Sequence, residues 1–283
     1  AQFADVMVTA REVAVEQVKA ITRKIEEQNI RGPKGELVRI ETFCHGALCM
    51  AVSGKCYLSL DNFNTSANRG ACVQPCRRGY EVTDRDKEIT LAIENEYIMS
   101  PKDLCTLPFL DKLLDAGVKI LKIEGRGRSP EYTKVTVGVY SEAVDAIQKG
   151  EFTEEKIAAW TERLRSVYNR DFWDGYYLGR KMGEWTQRYG SQATKTKIFV
   201  GTVTNFFGKI NVAEIRMETN DLKVGDDIMI IGPTTGVYED KISEIRVDLK
   251  AVDSTEKGEL CSIPTKDVIR RGDKVYKVID AVI

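Results

Sequence analysis

Several things are scarce in this sequence, and each scarcity removes a class of function. No apolar run approaches the ~20 residues that span a bilayer, and no stretch has the pattern of a secretory leader, so a cytoplasmic protein with reduced thiols is expected. Histidine occurs once, at His45, which excludes a multi-histidine metal site and forces any histidine-based triad to use that residue. The G-x-S-x-G elbow, the H-E-x-x-H zinc motif and the P-loop are missing. There is no tract of five like charges, no low-complexity segment and no repeat. With 42 Lys and Arg against 43 Asp and Glu, the formal net charge is −1, so no global positive field draws the chain to nucleic acid or anionic membrane.

What is present is ordinary globular composition, 42% hydrophobic and 30% charged over 283 residues, enough for two domains. The chain opens on AQFADVMVTARE, which reads as a strand running straight into a helix. Domains rarely start in mid-unit, so N-terminal sequence is expected to be missing. The helix continues to about Gln28 with Val13, Val15, Val18, Ile21 and Ile25 near helical spacing. A second strand is predicted from Leu37 to Phe43, and mixed strand and loop signals from Glu88 to Ser100. Ser100 as N-cap, Pro101 at N1 and Gly117 as stop predict a helix over 100–117. Then come the strand VKILKIEGR, a helix around EYTKVTVGVYSEAVDAIQKG, and another from Thr153 to about Asn169.

Strand–helix alternation predicts parallel α/β architecture, and three or four such units before residue 150 are too few for a closed eight-unit barrel. From about Lys195 short β-type segments separated by glycine turns replace the helices, which predicts a small closed β-barrel. Its Gly-Asp turns resemble the barrel that follows the GTPase domain in translation factors. The predicted organisation is therefore a partial TIM-barrel-like α/β domain lacking its first strands (1–169), a linker rich in glycine and aromatics that packs on it (170–194), and a β-barrel domain (195–283).

Four of the seven cysteines fall within 28 residues, Cys49, Cys56, Cys72 and Cys76, spaced C-x6-C-x15-C-x3-C. Four converging thiolates are the ligand set of an iron–sulfur cluster or a structural zinc. Zinc sites usually carry two short hooks; one short hook and two long arms favour the cluster, while ordinary core cysteines are the plain alternative. Cys44 and Cys105 are possible substitutes in the set, with Cys105 assigned to core packing on a helix and Cys261 to structure in the β-domain.

Two strand ends carry further chemistry, because strand ends face the active-site mouth of parallel barrels. Glu41 and His45 flank the first, with His45 the acid/base candidate and Glu41 its orienter or a substrate ligand; the plain alternatives are a structural histidine and a salt bridge. At the second, alternation points Lys122 and Glu124 the same way, and Arg126 and Arg128 are placed to clamp a carboxylate or phosphate. A solvated basic turn is the plain alternative. Arg77, just after Cys76, adds positive charge that tunes a cluster and attracts anions.

The run ETFCHGALCMAVSGKCYLS, the block RGACVQPCR, and the segments SPKDLC and LKIEGR together resemble the collagenase-like peptidase family (peptidase class U, family thirty-two) over roughly residues 1–190. The β-domain is similar to the C-terminal domain many members carry. The resemblance implies a TIM-barrel-type fold and two activities. Proteolysis is the one in the family name. The other is oxygen-independent hydroxylation of tRNA or ribosomal RNA bases or a quinone precursor, with a [4Fe-4S] cluster on Cys49, Cys56, Cys72 and Cys76. It also implies tRNA or other RNA as partner and small anions such as prephenate as oxygen source, with the β-barrel as an RNA platform. The leading expectation is hydroxylation of a tRNA uridine. The alternatives are a peptidase using Cys44 and His45, and a non-enzymatic cluster scaffold.

Overall fold

A computed structural model describes residues 3–51, 56–81, 83–84, 89–90, 97–180 and 183–281. The chain forms two compact units, one of 1–127 and 135–192, the other of 128–134 and 193–283.

The first unit is built on a mixed sheet of β1 (Val6–Val8), β2 (Arg39–Ala47), β5 (Asp103–Cys105), β6 (Ile120–Glu124) and β7 (Phe172–Trp173). β1 and β6 both run parallel to β2, β5 is antiparallel to it, and β7 extends β5 in parallel. The hairpin β3 (Thr83–Asp84) and β4 (Ile89–Thr90) stands apart as its own small sheet. The expected barrel arc is present only as the parallel trio β1–β2–β6; among the described residues the sheet stays open and mixed.

Helix α1 (Val15–Glu27) forms where the apolar spacing predicts, and it buries Val15, Val18 and Ile25. These join Ile40, Leu104, Phe109 and Leu113 in one core cluster, each large apolar side chain there contributing about 1.5–3 kcal/mol. Between β2 and β5 lies the short α2 (Leu58–Phe63) within the cysteine region. α4 (Pro130–Gln148) and α5 (Glu154–Arg165) bury Tyr140, Ala143, Trp160 and Leu164 against Cys44, Cys105 and Leu107. Thr153 caps α5, its hydroxyl accepting from the Lys156 amide at 3.4 Å.

The helix expected over 100–117 is corrected: Ser100 caps nothing, Asp103–Cys105 is strand β5, and only α3 (Leu110–Asp115) is α-helical. Pairing with His45–Ala47 and the buried Asp103 carboxylate outweigh the local helix signals. Cys105 is buried as expected, on a strand rather than a helix. The segment read as a linker is part of the first unit, since β7 pairs with β5 and Trp173 and Tyr177 are buried in its core. Gly54 and most of Glu88–Ser100 lie outside the described residues.

The second unit is all-β: β8 (Lys195–Phe207), β9 (Val212–Met217), β10 (Asp227–Gly232), β11 (Gly236–Lys241), β12 (Ile245–Val247), β13 (Lys250–Val252), β14 (Leu260–Pro264) and β15 (Lys274–Asp280). They form one antiparallel sheet in the order β11-β10-β15-β8-β9-β14-β12-β13. No ladder joins β11 to β13 among the described residues, but the Lys223–Ser254 bridge and the bond from the Val224 amide to the Asp253 carbonyl tie the segment before β10 to the segment after β13. Inward residues such as Val200, Ile215, Met217, Ile230 and Val275 fill its core. Gly201 is required where β8 crosses β9, because a Cβ there would stand 2.2 Å from the Arg216 carbonyl oxygen. No helix is long and apolar enough to cross a membrane among the described residues.

Candidate functional site

β2 delivers the first group of candidate residues, and a bulge decides where each points. Its register with β6 shifts between Phe43 and His45, and such a bulge re-aims the side chains around it. Glu41 and Phe43 share the partly open face, while Ile40, Thr42 and Cys44 are buried on the other. After the shift His45 is also buried, 2% exposed, rather than returned to the open face. Its Nδ1 stands 3.4 Å from the Tyr140 hydroxyl, and its ring packs 5.4 Å from Phe172.

Glu41 is not the partner of His45. It pairs with Lys122 Nζ at 2.9 Å, on the face where Arg11 and Lys122 both lie over the Phe43 ring. Glu124 points to the same side as Lys122, as alternation predicts, and meets Arg11 at 3.5 Å. Arg11 also donates to the Ala47 carbonyl. This residue escaped the sequence reading, although the end of β1 is itself a strand-end position.

Cys44 is fully buried, and its thiol donates to the Lys122 carbonyl at 3.4 Å. Burial, reinforced by the neighbouring Cys105, raises its pKa far above that of an ordinary thiol. Burial likewise pushes Cys105 up to about 11. Neither is a thiolate near neutral pH, so Cys44 lacks the ionisation of a nucleophile despite its neighbour in sequence.

The four clustered cysteines lie in the region that follows β2. Cys49 and Cys72 are exposed, Cys56 and Cys76 half-buried, and all are free. Burial raises the Cys76 thiol, Arg77 opposes that, and the thiols of Cys49, Cys72 and Cys56 add to the rise. The Cys76 thiol is thus the one that feels the other three. The donor set is all sulfur, which suits a soft metal or an iron–sulfur cluster. Among the described residues no three metal-ligating side chains stand close enough to hold an ion. The Ser59 hydroxyl points at Cys72 Sγ, 3.8 Å away, and accepts from the Val73 amide at 3.3 Å.

Two arginines tie this region down. Arg77 donates to the Leu48 carbonyl at 2.8 Å, to Ser100 Oγ at 3.1 Å and to the Pro101 carbonyl, joining three chain segments. Arg126 donates to the Gly70 carbonyl at 2.7 Å. Arg128 stands over the Tyr132 ring at 5.4 Å. The sequence reading also missed Arg170, 9% exposed, which pairs with the buried Asp103 carboxylate at 3.5 Å. An Arg-Asp dipeptide in a loop carries no signal of a partner 67 residues away.

Known proteins place the chain. The sequence model of peptidase family U32 matches residues 1–187. A collagenase of Porphyromonas gingivalis is 55% identical over 276 residues, covering 98% of this chain and 67% of that protein. An uncharacterized protease of Methanocaldococcus jannaschii is 36% identical over 97% of this chain and 67% of its own length. A tRNA hydroxylation protein of Bacillus subtilis is 33% identical over 81% of this chain and 52% of its own length. By the extent of these matches, the chain belongs to peptidase family U32.

Proposed function

We propose that this chain carries the cluster-binding part of an enzyme that hydroxylates an RNA base, a tRNA uridine being the first substrate to test. What supports this reading is the set of four free cysteines spaced C-x6-C-x15-C-x3-C, an all-sulfur donor set beside the anchored Arg77. A [4Fe-4S] cluster held by these four thiols supplies one-electron chemistry. Ser59 orients Cys72, while Arg126 on Gly70 and the anchored Arg77 flank the short Cys72–Cys76 hook. Glu41, Lys122 and Glu124 line the open face of β2 and β6 and bind the polar edge of a substrate. His45 stands behind that face, its Nδ1 3.4 Å from the Tyr140 hydroxyl. A small anion such as prephenate is the oxygen source this reading implies.

The test is anaerobic purification with iron and sulfide assays, followed by analysis of tRNA from a deletion strain. About four iron and four sulfide per chain, lost in Cys72→Ala, with hydroxylated uridine missing from the strain, is the expected result. Bound zinc or no metal, or unchanged tRNA, overturns it.

A second reading is a peptidase. The collagenase that is 55% identical over 98% of this chain favours it, and on names alone it stands ahead of hydroxylation. The buried, protonated Cys44 and the inward His45 argue against a cysteine nucleophile there. Gelatin cleavage by purified protein that disappears in both Cys44→Ser and His45→Ala would establish the peptidase and displace the first reading.

A further inference from the structure

Beside Cys72 the first unit holds a cavity of about 370 Å³, in the size range of small-ligand sites. Three separate pieces of chain bring guanidinium groups to it: Arg78 from the turn after Cys76, Arg170 from the corner between α5 and β7, and Arg188 from the segment 183–192. Arg77 adds a fourth positive charge, with three of its five N–H donors on Leu48, Ser100 and Pro101. No carboxylate lines the cavity among the described residues. The nearby Asp103 is 1% exposed and turned to Arg170, accepting from its amide at 3.2 Å and its Nη1 at 3.5 Å.

Two of the arginines that line the hollow are held by neighbouring rings. Arg170 lies over the Tyr168 ring at 5.1 Å and reaches Gln74 Oε1 at 3.5 Å. Arg78 lies over the Phe63 ring at 5.1 Å. Arg78 and Arg188 are exposed, and neither makes an ion pair among the described residues. One buried carboxylate, Asp103, faces four guanidinium groups, so the cluster keeps an excess of positive charge that an entering anion would offset.

We propose that this hollow is an oxyanion site that takes the phosphoryl group of a phosphate ester, with Arg78, Arg170 and Arg188 as its ligands. A carboxylate is planar, and one forked guanidinium can engage both its oxygens. Three guanidiniums from three directions instead suit a tetrahedral group that presents several oxygens at once. Tyr189, 73% exposed at the rim and 6.4 Å from Tyr97, offers a ring face to a planar organic part of the ester. The inference goes beyond the proposed reaction, since it needs neither a bound cluster nor turnover.

The test is isothermal titration of the whole chain with inorganic phosphate, adenosine 5′-monophosphate, a short single-stranded oligoribonucleotide and malonate. Arg78→Gln and Arg188→Gln change exposed side chains, and Arg23→Gln on α1, with 72% of its side chain exposed, is the control. Saturable binding of phosphate and of the monophosphate is expected, weakened about tenfold by each cavity variant and unchanged by the control. Malonate is expected to bind at least about tenfold more weakly than phosphate. Displacement of phosphate by the oligoribonucleotide would make a strand phosphate the natural ligand; failure to displace it would make it a free ester. No saturable phosphate binding, malonate as tight as phosphate, or cavity variants that bind like the control would overturn the proposal.

Discussion

Arg126 Nη2 lies 2.7 Å from the carbonyl oxygen of Gly70, a hydrogen bond that joins the end of β6 to the cysteine region 56 residues earlier in sequence. Gly70 has φ +85°, and a Cβ there would stand 3.1 Å from the same Nη2. Arg126→Ala is therefore expected to loosen residues 67–76, at a cost of about 1 kcal/mol for an exposed charged hydrogen bond. Hydrogen exchange of the amides of that segment should accelerate about fivefold, with β2 and α1 unchanged. Equal protection in both proteins would mean the contact holds nothing.

Arg170 and Asp103 form a buried pair, their side chains 11% and 1% exposed. Removing one partner leaves an uncompensated charge in the interior, so Asp103→Ala is expected to destabilise the protein by about 3 kcal/mol. Urea unfolding measures it. Replacing both, as Asp103→Ala with Arg170→Met, should recover part of the loss, because the stranded charge goes too.

Lys102 sits between Asp171 at 3.0 Å and Glu184 at 3.1 Å. Burial alone would raise the Asp171 carboxyl, but hydrogen bonds from Lys102 and from the backbone outweigh it and hold the group below its ordinary value of 3.8. A lowered carboxylate pKa contributes stability that is present above the unfolded value and lost as pH falls through the folded one. Lys102 runs the other way. Burial would lower it, the bonds to both carboxylates raise it above 10.5, and its share is lost as pH rises through that higher folded value. In Lys102→Met the stability curve should flatten below about pH 4, where the wild type loses this contribution. Unfolding free energies measured across that acid range would show it, and parallel curves for the two proteins would refute it.

In the second unit, Gly201→Ala would place a Cβ 2.2 Å from the Arg216 carbonyl oxygen, against backbone that cannot step aside. The expected cost is about 3 kcal/mol, at the upper end of overpacking effects. Thermal unfolding should fall by several degrees, whereas Gly225→Ala tests a different cause, since that glycine has open space around it and only φ +94° to oppose a side chain.

Periodic segments were legible in the sequence. α1, α4, α5 and the strands of the β-domain stand where apolar spacing and glycine turns place them. Segments whose fate depends on distant partners were not. Asp103-Leu104-Cys105 reads as helix, and becomes strand because β2 and Arg170 claim it. The pairing of Glu41 with Lys122 rather than His45 follows from a bulge, which no local pattern announces. Spacing alone singles out the four cysteines in the sequence. Arg170 and Arg188 were not, because a lone arginine in a loop looks the same wherever it points.

The anchoring of Arg77 makes the cysteine region mechanically uneven. Through Leu48, Ser100 and Pro101 the Arg77 side chain fixes the neighbourhoods of Cys76 and Cys49, whereas the fifteen residues between Cys56 and Cys72 form the longest spacer of the set. Under the proposed cluster reading, most of the ordering entropy of metal capture would fall on that spacer and little on the Cys76 corner. Affinity in such a trap responds more to arm length and stiffness than to the identity of the anchored donor, and stiffening the stretch between Cys56 and Cys72 is the change that would tighten it.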